Sequence, residues 1–180
     1  MRNEVRFWGR GLASWTVVLS LGGALSVFPA SADPSLIKVA VFDFELDDLS
    51  AGGGIAGDSA ADAAQLNGAA SEARRLIAQS GRYALVDPSA AEDDSVKGHR
   101  LRQCDGCEAA IARKLGADQS FLAVVTRISR TEYVVRFQIR DAQTGGIVLA
   151  RQSGLRMGAD YSWDRGAAAL IKSSPLNNPN

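Results

Sequence analysis

Between Leu36 and Leu46 the chain reads Leu-Ile-Lys-Val-Ala-Val-Phe-Asp-Phe-Glu-Leu, apolar on both faces and rich in β-formers. This is the pattern of a first strand buried between two layers. Asp48 to Gly57 contains four glycines and reads as a flexible loop. Ala63, Leu66, Ala70, Ala73 and Ile77 then recur at helical spacing up to Ser80-Gly81, and Ser59 or Asp62 stands where such a helix is capped. Tyr83 to Val86 is a short strand ending at Asp87-Pro88, and Ser89 to Gln103 shows neither period, as an exposed connection would.

A second helical stretch runs from Glu108 to Leu115, with Ile111 and Leu115 four apart on one face and Gly116 as its stop. From Ser120 to Ile128 both faces are apolar: Leu122, Val124, Thr126 and Ile128 on one, Phe121, Ala123 and Val125 on the other. Such a strand belongs at the centre of a sheet. Glu132 to Arg140 alternates, with Tyr133, Val135, Phe137 and Ile139 inward and Arg136, Gln138 and Arg140 outward. Ile147 to Leu155 returns as its partner after the turn at Asp141 to Gly146. A last helix passes through Trp163, Ala167, Leu170 and Ile171, capped by Asp160 or Ser162, with Trp163 and Tyr161 packing helix against sheet. The order β-α-β-α-β-β-β-α predicts a single-domain α/β sandwich, a mixed sheet of about five strands covered by about three helices.

The N-terminus changes the picture of where the chain works. Arg2, Arg6 and Arg10 precede an apolar run from Gly11 to Phe28, and Ala30-Ser31-Ala32 has the small-x-small form that signal peptidase accepts. Residues 1–32 are therefore read as a secretory signal peptide, 33–172 as the α/β domain and 173–180 as a disordered tail. The apolar run could nearly span a bilayer as a retained anchor, but Gly22, Gly23 and Pro29 dilute it, and no cysteine stands at the cleavage point for lipid attachment. The expected mature protein is periplasmic, meeting the membrane only through the uncleaved leader.

Removing Arg2, Arg6, Arg10 and Glu4 from 20 basic and 20 acidic side chains leaves 17 and 19, a balance that excludes a strong nucleic-acid binder. The charge is uneven: residues 33–94 hold 12 acids against 4 bases, and residues 120–158 hold 6 arginines against 2 acids. The domain should carry a dipole.

Cys104 and Cys107 are the only two cysteines. Haem attachment fails because Glu108 stands where histidine is required. Zinc or copper could recruit His99, but three ligands fall short of a closed site. A redox thiol pair would gain a lowered pKa at the helix start, although the polar stretch before it is not the buried strand such motifs follow. The reading carried forward is a structural disulfide formed on export, worth on the order of 2 kcal/mol for so short a ring.

Gly52-Gly53-Gly54-Ile55-Ala56-Gly57 formally satisfies a dinucleotide-binding glycine pattern, but Asp47 and Asp48 would stand beside the phosphates, and the first acid at the end of the second strand, Asp87, lies 30 residues past Gly57 rather than about 20 from the pattern. No cofactor is assigned. Asp43, Glu45, Asp47, Asp48 and Asp87 fall near the C-terminal ends of the first two strands, where α/β sheets place ligand crevices, and the four aspartates form a candidate small-ligand site. Without an Asp-x-Asp-x-Asp-Gly loop they are not read as a metal site. Arg136 and Arg140 share the outward face of one strand with Arg151 on the return strand, a candidate surface for an anionic partner.

The strand Val39-Ala40-Val41-Phe42-Asp43-Phe44, Ser80-Gly81-Arg82-Tyr83, Leu115-Gly116-Ala117-Asp118 and the Asp141 to Gly145 hairpin resemble an uncharacterised family of exported proteobacterial proteins. That family in turn resembles the TolB amino-terminal and CsgG-like α/β domains of the bacterial envelope. The resemblance implies a non-catalytic accessory or binding module whose partner is an envelope protein or anionic envelope component. A thiol-disulfide oxidoreductase using Cys104 and Cys107, and a small-ligand or metal-binding protein, stand as the alternatives.

Overall fold

The computed structural model describes residues 35–51, 59–91, 100–156 and 163–177, all within the unit Pro34–Asn180. The leader, the glycines at 52–57, His99 and Tyr161 lie outside the described residues. Six strands form one mixed sheet: β1 (Ile37–Val41), β2 (Glu45–Asp48), β3 (Tyr83–Val86), β4 (Gln119–Arg127), β5 (Glu132–Asp141) and β6 (Ile147–Arg156). Among the described residues three helices cover it, α1 (Ala60–Gln79), α2 (Cys107–Lys114) and α3 (Trp163–Lys172). The order across the sheet is β3-β1-β4-β5-β6, with β2 also on β4. Pairing is parallel through β3, β1, β2 and β4 and antiparallel from β4 to β6. The expected sandwich is present, with one strand more than the pattern gave.

The extra strand comes from a break in the first one. Val41 pairs with Phe121, but Glu45 pairs with Val124, so β1 and β2 together hold one residue more than the stretch of β4 they follow. An inserted residue reverses the in-out alternation. Val39 and Val41 before the break, and Phe44 and Leu46 after it, all reach the same core, while Phe42 turns to the other. The Val41 carbonyl at the break accepts from the Arg74 guanidinium at 3.0 Å.

One core lies between the sheet and the pair α1 and α3. Phe121, fully buried on β4, stacks on Phe44 and Phe137 with ring centroids 6.2 and 5.1 Å apart. Trp163 at the start of α3 is buried against Tyr133, as the helix-packing reading expects. Ser59 and Asp62 close a reciprocal capping box on α1. The second, smaller core sits under α2, where Ile111 and Ala112 meet Ala40, Phe42 and Leu122. Gly116 follows α2 at φ 75°, the left-handed turn expected of it. Beyond α3 the chain does not trail away at once: Pro175–Asn177 forms a 3-10 turn and Leu176 is buried in the first core, so these residues, assigned to a tail by composition, pack on the domain.

Candidate functional site

The break between β1 and β2 lies beside the end of β3, which pairs with β1 only as far as Ala40 and Val86. Past that point β2 has, among the described residues, only β4 as a neighbour in the sheet. The result is a crevice of about 770 Å³ lined by Asp43, Glu45, Arg74, Asp87, Arg100 and Arg102, among others. Two of the four strand-end aspartates meet there. Asp43 pairs with Arg74 at 2.7 Å, and Asp87 accepts from the Ser89 N–H at 2.9 Å. That backbone bond, with the Ser89 hydroxyl, holds the Asp87 carboxyl below the usual carboxylate range.

Asp47 and Asp48 are drawn elsewhere. Asp47 faces Arg102 at 3.4 Å. Asp48 accepts from the Ser50 hydroxyl at 2.6 Å and pairs with Arg127 at 2.7 Å. The Ser50 hydroxyl first, then Arg127, lower the Asp48 pKa. Arg127 also pairs with Asp62, which ties the start of α1 to the sheet. Glu45, another of the strand-end acids, is the most engaged: it accepts from the N–H groups of Leu101 and Arg102 at 2.6 and 3.3 Å and pairs with the Arg102 guanidinium at 3.2 Å. The crevice is charge-balanced rather than acidic, and its carboxylates are held by arginines and backbone donors instead of converging on one point.

A disulfide joins Cys104 to Cys107 at the start of α2, with the Cα atoms 5.6 Å apart. Among the described residues the one cluster of metal-ligating side chains is Cys104, Cys107 and Glu108, and the disulfide bond engages both of its sulfurs. Glu108 is fully buried. Its carboxylate lies 3.0 Å from Arg140 Nε and accepts from Gln138 Nε2 at 2.9 Å. Arg140 further reaches Asp105 at 3.0 Å and the Gly145 carbonyl at 2.9 Å. Gly106, between the cysteines, has φ 98°, and a Cβ there would stand 3.4 Å from the Arg140 guanidinium. The disulfide loop is thus clamped onto β5 by one arginine.

Closing the loop covalently should contribute about 2 kcal/mol. Exchanging both cysteines for serine is expected to lower stability in urea unfolding by that amount and leave the circular dichroism spectrum unchanged.

The clamp corrects the reading of Arg140 as a partner-binding residue. Although it points outward from β5, α2 and the disulfide loop cover that end of the sheet. Arg136, four residues earlier, is exposed and faces no acid among the described residues. Its cross-strand neighbours are Val124 and Gln152. Arg151 is exposed as well, but it stands opposite Phe137, so it leaves β6 on the face opposite to Arg136. Its guanidinium donates to the Ala150 carbonyl at 3.0 Å. At the sheet edge the Arg151 side chain nonetheless reaches the same concavity: Arg136, Arg140, Arg151, Gln138, Asp105 and Ala150 line a groove of about 570 Å³ between the disulfide loop and the open half of the sheet.

Sequence reasoning missed Glu108 as a buried brace and Arg102 as the partner of Glu45. Glu108 carried no local sign of burial, since its partners Gln138 and Arg140 lie 30 and 32 positions on in the chain. A glutamate directly after a cysteine pair, facing two polar outward positions of one strand, is the pattern that would have found it.

Among solved structures, the LpoB C-terminal domain from Salmonella enterica matches at 13% identity and a TM-score of 0.44, over 71% of this chain and 87% of that one. Lipoprotein GNA1162 from Neisseria meningitidis matches at 12% identity and a TM-score of 0.48, over 69% and 84%. TolB from Acinetobacter baumannii matches at 14% identity and a TM-score of 0.44, over 77% of this chain and 27% of that one. These are remote likenesses, and the function is read from this chain's own side chains. No curated protein matches the chain. Residues 37–174, which include both concavities and the disulfide, match the model of the DUF3280 family, described as "Protein of unknown function (DUF2380)", and the chain belongs to that family.

Proposed function

We propose that this protein is a non-catalytic periplasmic accessory module that binds an acidic envelope partner through the open half of its sheet. The observation that carries the reading is the contrast among its arginines. Arg74, Arg75, Arg102, Arg127 and Arg140 each pair with a carboxylate of the same chain, whereas Arg136 and Arg151, like Arg100, Arg113 and Arg130, are exposed with no ion pair to a described acid, and Arg136 and Arg151 are the two that lie on the open half of the sheet. Ion pairs inside the fold account for the first group. The second leaves positive charge directed at solvent beside a groove, as a surface that attracts an anionic partner requires. The arginine-led apolar leader with its Ala30-Ser31-Ala32 site supports export.

The test is capture of partners from envelope extracts by the mature protein and by Arg136→Glu/Arg151→Glu. Captured material should fall by about ten-fold in the variant, through slower association, and wild-type capture should weaken as salt rises. Equal capture by both proteins across the salt series would refute the site. A small-ligand protein is the second reading, favoured by the strand-end crevice, and retention of a small molecule on the purified protein, lost with Asp43→Ala/Asp87→Ala, would move the function there.

A further inference from the structure

We infer that β6 accepts an extended acidic segment of the partner as an added antiparallel or parallel strand, a proposal that rests on the binding-module reading and names how the partner docks. The sheet ends in two unlike edges. β3 is four residues long, a length that blunts edge pairing. β6 is ten residues long, Ile-Val-Leu-Ala-Arg-Gln-Ser-Gly-Leu-Arg, and among the described residues it pairs only with β5. An unpaired edge presents a row of backbone N–H and C=O groups to any chain that can lie alongside.

Two of the usual protections, proline and lysine, are missing from this edge. Its one charge on the core-facing side is Arg151, opposite Phe137, which opposes a basic strand and which an acid on an added strand would neutralise. Its one irregularity, a register shift opposite Ile139 and Arg140, lies at the turn end and leaves Leu149 onward in regular pairing with β5. Ile147 and Val148 at that end are each 56% exposed. Residues from Ala150 to Gly154 are exposed, while Leu149 is half-buried against the first core.

Charge selects the occupant. No acid occurs from Ile147 to Arg156, Arg151 is exposed within it, and Arg136 is exposed on the neighbouring strand. Opposite charges across a strand pair stabilise it and like charges oppose it. A second copy of this chain would set an acid-free, arginine-bearing strand against itself. A strand carrying glutamate or aspartate at alternate positions places its acids on one face, within reach of Arg151 or Arg136 according to register. Backbone bonds would then supply affinity, and the arginines the preference for acidic sequence.

The experiment uses the mature protein and three synthetic decapeptides: one alternating glutamate with valine, one alternating lysine with valine, and the first with N-methylated amides along one edge. Binding is followed by fluorescence anisotropy, and backbone hydrogen exchange by mass spectrometry. The glutamate peptide should bind at least about ten-fold more tightly than the lysine peptide and slow exchange in Ile147–Arg156. N-methylation and Arg151→Glu should each weaken it by about ten-fold. Equal binding of the methylated peptide, or binding that leaves exchange in β6 unchanged, would overturn strand addition. Protection of β6 that needs no peptide and rises with protein concentration would assign the edge to a second copy and overturn it too. Failure here alongside salt-dependent capture that is lost in Arg136→Glu/Arg151→Glu leaves the binding module standing and removes only its docking mode.

Discussion

Replacing Arg140 with alanine should cost about 3–5 kcal/mol of folding stability, because the change strands a buried carboxylate. Glu108 is fully buried and its counter-charge is Arg140, whose own side chain is 13% exposed. The same substitution at Arg136, which pairs with nothing described, should shift stability by less than about 0.5 kcal/mol. Urea unfolding of the two variants therefore separates a brace from a free surface charge on the same strand. Replacing both members of the pair, Glu108→Met with Arg140→Met, should recover most of the loss, since apolar groups of similar size tolerate a buried site that a lone charge does not. Equal, small losses for Arg140→Ala and Arg136→Ala would mean that Arg140 is as available to a partner as its neighbour.

Phe121→Ala is expected to be as damaging, at about 3–5 kcal/mol, for a different reason. Phe121 is fully buried, and its ring stands between Phe44 and Phe137, so it joins the link between β1 and β2 to β4 and β5 in one aromatic row. Truncation removes the contacts on both sides, and the closely paired strands around it have little room to collapse into the void. Val148→Ala, on a side chain 56% exposed, is the matched control and should change stability by less than about 0.5 kcal/mol. A loss at Phe121 no larger than at Val148 would show that the row does not anchor the core.

The two predictions also mark how much was legible in the sequence. β4 and the inward face of β5 could be read directly, because alternation of the Tyr133-Val135-Phe137-Ile139 kind reports a single buried face and a run apolar on both faces reports a central strand. The Ser59 cap on α1, offered with Asp62 as the alternative, and the turn at Gly116 were readable as well, being set by neighbours a few residues apart. The break at Phe42 to Phe44 was not. A stretch that is apolar on both sides looks the same before and after its alternation reverses, so only the partner strand reveals the inserted residue.

The site divided along the same line. Asp43 and Asp87 were placed correctly at strand ends, because topology alone puts strand ends there. Asp48 and Arg140 were misjudged, because their roles depend on Arg127 and Glu108, residues distant in sequence. A charged side chain at an outward strand position reads as exposed until the helix that covers it is known. α2 is only eight residues long, and nothing in its composition says which strand it crosses.

The central claim is that the open half of the sheet, and not the strand-end crevice, meets the partner. Hydrogen exchange of the mature protein with and without its captured partner tests this most directly, because β6 and the crevice are separate stretches of chain. The account predicts slowed exchange concentrated in Ile147–Arg156, with Phe42 to Glu45 and Asp87 to Ala91 unchanged. Protection confined to those crevice segments, with β6 exchanging as in the free protein, would contradict it.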